Sequence, residues 1–176
     1  MINKRDKMKQ TNELTVNTLR RLALMQHLGE DFFIVGNTAY EGDKDEVENE
    51  WKEECKIAED SDDTIYSFDD YCIHNCTEVE ELEDDDYSID YMILTDEEAD
   101  EKWEQSLDNY IEECITPEID KLSEGAGNLS YYITFDEESW KRDARMDGRG
   151  HSLSSYDGHE NEETIEGTTF YIYRTN

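Results

Sequence analysis

The chain has 176 residues, with 48 Asp and Glu against 16 Lys and Arg, for a formal net charge of −32. That excess excludes ordinary phosphate neutralisation on nucleic acid, which needs a cationic face, and adsorption to an anionic membrane. Leu, Ile, Val and Phe supply only 33 residues, but 11 Tyr and three Trp add large rings that can be buried.

The charge divides unevenly. Residues 1–29 carry +4, residues 30–140 carry −34 and residues 141–176 carry −2. This predicts a basic N-terminal helix over 1–29, an acidic α/β part over 30–86, and a C-terminal α/β part over 87–176 with a loop at 147–160. No apolar stretch of signal-peptide length follows MINKRDKMKQ, and purely apolar runs reach only four residues, so no membrane partner is expected. The four Cys lack the density of a secreted disulfide scaffold and fit reduced thiols in a cytoplasm.

In chain order, Leu14, Leu22 and Met25, with Leu19 alongside, predict a helix over 13–28. Asp31 to Gly36 has the pattern of a short buried strand ending at a turn. A helix from about Asp43 to Asp60 places Val47, Trp51, Cys55 and Ala58 on one stripe. Residues 64–82 are ambiguous between helix and extended chain, and Glu83 to Asp86 suggests a solvated turn. Alternation over 87–94 predicts a strand. Thr95-Asp-Glu-Glu98 is a capping box: the Thr hydroxyl accepts from the Glu98 amide while Glu98 reaches back. The helix it opens carries Ala99, Trp103, Leu107, Tyr110, Ile111 and Cys114 as its apolar stripe and stops at Thr116-Pro117. Leu129, Tyr131, Ile133 and Phe135 alternate as a further strand. A short helix follows over 136–146 with Trp140 inward, and TTFYIYR (168–174) closes the chain as a strand. The fold class is α+β, with short strands each followed by an acidic amphipathic helix.

The acidic body is the first functional candidate. At the DNA charge density of about one per 1.7 Å, a net of −34 corresponds to roughly 58 Å of duplex. Helices with carboxylates three and four residues apart can hold such charges in rows. The candidate partner-binding acids are Asp45, Glu46, Glu50 and Glu53 on the first acidic helix. On the second they are Asp96, Glu97, Glu98, Asp100, Glu101, Glu104 and Asp108. The expected partner is a basic nucleic-acid-binding host protein, a nuclease or CRISPR effector, with no direct binding of nucleic acid. A surface that serves solubility alone is the alternative, with a partner bound instead through the Tyr-rich strands.

The second candidate is the polar segment 142–160, through which the alternative reading, an enzyme or ligand-binding protein, would act. His151 with Asp147 or Asp157, beside Arg145 and Tyr156, has the residue types of an acid–base site. Alternatively, Arg142, Arg145 and Arg149 pair with local acids and pin the loop. Phosphate-binding, nucleophile-elbow and zinc-protease motifs are absent from the sequence, so no catalytic residue is assigned and an enzyme is not expected. Asp43-Lys-Asp45 and Asp60-Ser-Asp62 lack the remaining ligands of a calcium loop, and Cys72-x₃-Cys76 has no second tight pair to complete a zinc site. No metal or cofactor is therefore expected.

Three stretches, LTDEEADEKWEQSLDNYIEEC (94–114), SWKRDARMDGRGHSLSSYDG (139–158) and TTFYIYRTN (168–176), resemble a family of small acidic proteins encoded by bacteriophages and related mobile elements. The resemblance begins near Tyr87 and leaves residues 1–86 uncovered. It implies no established reaction. It does imply a host cytoplasm as the place of action, and inhibition of restriction or CRISPR enzymes by analogy of charge and context.

Overall fold

In the computed structural model, residues 14–61, 63–82 and 90–176 are described. Residues 1–13 of the basic N-terminal part, the acidic run 83–86 and the first part of the strand expected from Tyr87 lie outside them. The chain divides into two units, Met1–Asp85 and Asp86–Asn176, and its architecture is α+β with antiparallel sheets.

In the first unit, α1 (Val16–Leu28) is capped by Thr15, whose hydroxyl accepts from the Thr18 amide at 3.1 Å. It buries Leu22, Leu24 and Met25. Strands β1 (Phe32–Val35) and β2 (Thr38–Glu41) form a hairpin in which Val35 faces Thr38. Its two-residue turn, Gly36-Asn37, opens at φ 63° on Gly36, the conformation that a II′ turn demands of its first residue. Only one strand is expected from the sequence here. Helix α2 (Lys44–Ser61) turns Val47 and Trp51 inward. The ambiguous stretch resolves into α3 (Phe68–Asn75). The core joins Phe33, Tyr40 and the fully buried Cys72, with Phe68 stacked on Phe33 and tilted against Trp51.

The second unit is built on a three-stranded sheet in the order β3 (Tyr91–Leu94), β5 (Thr168–Arg174), β4 (Asn161–Ile165). Met92, Leu94 and Tyr173 pack there with Ala99 of α4 (Asp96–Tyr110) and Leu153 of α7 (Arg149–Leu153). Trp103 covers this cluster.

Several sequence expectations fail, among them that each strand is followed by a helix: β1 turns directly into β2, and β4 into β5. Pro117 does not stop the helix. A five-residue π-helical stretch, Ile111–Ile115, links α4 to α5 (Thr116–Ala126), and the Thr116 amide reaches back to the Ile111 carbonyl. The wider turn shifts the bonding pattern just before the proline, which then sits where its missing N–H is tolerated. The strand expected over 129–135 is absent: Gly127–Tyr132 is a 3₁₀ turn with Leu129, Tyr131 and Tyr132 exposed. Both sides of the central strand β5 are already paired, by β3 and by β4. Trp140 on α6 (Glu137–Met146) therefore follows a 3₁₀ turn and not a strand. The stripe on α4 is also narrower than expected, since Tyr110 and Cys114 are exposed.

Candidate functional site

Helix α4 begins at Thr95, whose amide donates to Glu98 at 2.8 Å while its hydroxyl accepts from the Glu98 amide at 3.4 Å. Both arms of the capping box are present, so Glu98 is engaged in starting the helix. Four acids follow at a spacing of four: Asp96, Asp100, Glu104 and Asp108. Three cations at the same spacing, Lys141 and Arg145 of α6 and Arg149 of α7, face them in antiparallel order. Lys141 bonds to Asp108, and also to Glu137 at 2.9 Å. Arg145 meets Glu104 through Nε and Nη2, both at 2.8 Å. Arg149 reaches Asp96 at 2.8 Å, Asp100 at 3.0 Å and, through Nε, Glu160 at 2.9 Å.

This ladder changes the meaning of the α4 acids. Asp96, Asp100, Glu104 and Asp108 are paired within the unit, which leaves Glu97 and Glu101 as the named α4 acids outside the ladder and the capping box. The hydrogen bonds from Arg145 hold the Glu104 carboxyl below the usual range. Those to Asp108 and Glu137 raise the Lys141 ammonium pKa. For Arg149 burial opposes the charge, but hydrogen bonds to Glu160 and Asp96 outweigh it and raise the pKa. The pairing is visible in the sequence as matching four-residue spacings, 96-100-104-108 against 141-145-149. Arg145 and Arg149 find partners on a distant helix; of the pairs expected within the loop, Arg149–Glu160 and a loose Arg142–Asp143 contact of 3.6 Å form.

On α2 the arrangement differs. Asp45, Glu46, Glu50 and Glu53 are all exposed, and none makes an ion pair among the described residues. Glu46 and Glu53 turn away from the Val47–Trp51 face, with Glu50 on its flank. The lysines Lys44 and Lys52 both pair with Glu48 along one flank, at 4.0 and 3.1 Å. Lys56, exposed and three residues from Glu53, is the remaining lysine of α2, so the outward side stays net negative.

The segment 147–160 is partly helical and not a plain loop, because Arg149–Leu153 forms α7. Gly150 lets that helix close down: a Cβ there would lie 2.7 Å from the Gly158 carbonyl oxygen and 2.9 Å from the Glu160 amide nitrogen. Asp157 is committed elsewhere, accepting from the His159 amide at 2.9 Å and the Ser154 hydroxyl at 2.7 Å, which holds its carboxyl below the usual range. Tyr156 lies under the Arg174 guanidinium at 3.8 Å. His151 is exposed and has no ion pair with Asp147 or Asp157, so the expected acid–base couple is not assembled. His151 and Asp147 instead line one cleft of about 520 Å³ with Ser106, Leu107, Tyr110, Trp140, Asp143, Ala144 and Ser152. Tyr110 and Trp140 stack at its side, with ring centroids 5.5 Å apart and planes 5° from parallel.

Cys72 is wholly buried in the first unit, where burial and then its neighbour Cys76 push the thiol pKa up to about 11. A thiol so hard to ionise behaves as a small hydrophobe. Among the described residues, no group of three His, Cys, Asp or Glu is placed to hold a metal ion, and no helix is long and apolar enough to cross a membrane. Comparison with known protein families, curated proteins and solved structures finds no match to this chain.

Proposed function

We propose that this protein is an acidic mimic of nucleic acid that occupies the basic groove of a host DNA- or RNA-handling defence enzyme, of the anti-restriction or anti-CRISPR type. In this reading it is encoded by a bacteriophage and acts in the host cytoplasm. The observation that supports it is the outward face of α2, where Asp45, Glu46, Glu50 and Glu53 stay exposed without cationic partners. Glu48 takes Lys44 and Lys52, which leaves Lys56 alone against these four acids, and like charges at this spacing repel. On α4, Glu97 and Glu101 contribute to the same function, whereas the ladder acids are engaged in ion pairs within the second unit. Electrostatic steering then gives fast association that weakens with added salt.

The test is inhibition of DNA cleavage by a panel of restriction endonucleases and CRISPR effectors, measured against salt. Inhibition of at least one enzyme is expected, declining as NaCl is raised from 50 to roughly 300 mM. The quadruple variant Asp45→Lys, Glu46→Lys, Glu50→Lys, Glu53→Lys should lose it while keeping its circular dichroism spectrum. Inhibition of full strength by that variant would sink the reading.

A further inference from the structure

The cleft between α4, α6 and α7 has a composition that selects for one kind of ligand. Its side is the stacked pair Tyr110–Trp140, with Tyr110 52 % exposed. Two carboxylates, Asp143 and Asp147, line it, and no lysine or arginine does. The nearby cations do not fill it from within: Lys141, Arg145 and Arg149 are drawn to the α4 acids, and Arg142 touches Asp143 only at 3.6 Å, with both side chains about 70 % exposed. Asp147 has no ion pair among the described residues. A phosphate or nucleotide would be repelled by these carboxylates, whereas a cation with a flat body would meet charge and ring together.

The geometry points to an arginine-binding cleft, in which the guanidinium of a protein partner lies against Tyr110 and is held by Asp143 and Asp147. Arginine fits better than lysine because its planar, weakly hydrated head stacks on aromatic rings and offers several donors in a fork to carboxylates. Tyr, Trp and Arg are also the residues that anchor protein interfaces most often. The inference extends the proposed function by naming the group of the basic partner that this cleft takes, yet the cleft can be tested without that partner.

The probe is N-acetyl-arginine amide, titrated into the full ¹⁵N-labelled chain, with the neutral isostere N-acetyl-citrulline amide as its control. The Trp140 indole resonance should shift saturably with the arginine probe, in the millimolar range expected of one side chain, and should not respond to citrulline. Trp51, which packs against Phe68 in the other unit, serves as the internal reference. The double variant Asp143→Asn, Asp147→Asn should weaken binding at least about threefold, the effect of losing exposed charge pairs. Tyr110→Leu, at a half-exposed position, should weaken it by a similar factor and guards against misfolding of the first variant. An unsaturable titration, an equal response to citrulline, or unchanged binding in both variants overturns the cleft. If the titration fails while the α2 reversal still abolishes inhibition, the arginine site falls and mimicry stands. If the titration succeeds while the reversal leaves inhibition intact, mimicry falls and the arginine site stands.

Discussion

Arg149 and Glu160 meet at a densely bonded point of the second unit. The Arg149 side chain is only 12 % exposed, and its guanidinium lies 4.3 Å from the Tyr171 ring centre while it binds three carboxylates. Glu160 accepts at the same time from the hydroxyl of the fully buried Tyr173 at 2.6 Å. Burial, and then that bond to a carboxylate, raises the Tyr173 pKa. The native state therefore favours the neutral phenol, while an unfolded tyrosine ionises near 10. The sign follows: this contribution to stability is complete below pH 10 and is lost as the pH rises above it. Tyr173→Phe should cost about 1.5–3 kcal/mol at pH 7, the range for a hydrogen bond to a charged group. Urea unfolding at pH 7 and pH 10.5 should show a smaller alkaline loss in the variant than in the parent. The alkaline loss that remains comes from Cys72, Tyr40 and Tyr71, whose pKa values burial also raises, and from Lys141, raised by its bonds to Asp108 and Glu137. Equal alkaline losses in the two proteins would remove Tyr173 from this account.

At the level of elements, local rules with a single cause were legible in the sequence. The α4 capping box forms as its four residues dictate, and α1, α2 and α6 lie where apolar spacing puts them. What escaped depends on partners distant in sequence. The Leu129–Phe135 alternation satisfies the pattern of a strand, but pattern alone does not provide a strand to pair with. The π-helical stretch before Pro117 likewise depends on a continuing helix that a rule of termination does not foresee. The ladder was legible as two matching spacings, yet choosing it over local pairing requires knowing that α4 and α6 run antiparallel. The two hairpins form an instructive contrast. Gly36-Asn37 carries a recognised turn signature, whereas β4 and β5 turn through Glu166-Gly167, with φ of 48° and 81°. Both angles are positive, as a type I′ turn requires, and a glutamate pays a steric penalty there that Asn avoids. Glu166→Asn should therefore stabilise the second unit by roughly 0.5–1 kcal/mol. A thermal midpoint equal to or below that of the parent would show that the turn is not a strained position.

For the molecule as a whole, the net charge of −32 acts against folding at the same time as it furnishes the proposed binding surface. The ladder relieves part of this within the second unit by setting three cations against α4 and the segment after it. The outward face of α2 has no such relief. Two opposing salt effects follow. Screening weakens the exposed pairs Arg145–Glu104 and Lys121–Glu118, but such pairs contribute little in water. It also weakens repulsion among many more unpaired carboxylates, over a Debye length that shrinks from about 30 Å at 0.01 M to about 10 Å at 0.1 M. Repulsion has the larger number of terms, so stability should rise with NaCl even as the proposed partner binding falls. The thermal midpoint should increase by roughly 4–8 °C between 10 and about 300 mM NaCl, equivalent to ~1 kcal/mol in a unit of this size. In the quadruple α2 lysine variant the increase should shrink, because fewer like charges remain to be screened. A midpoint that falls with salt in the parent would mean that the ladder outweighs the repulsion. The α2 face would then lose the energetic cost on which its functional reading rests.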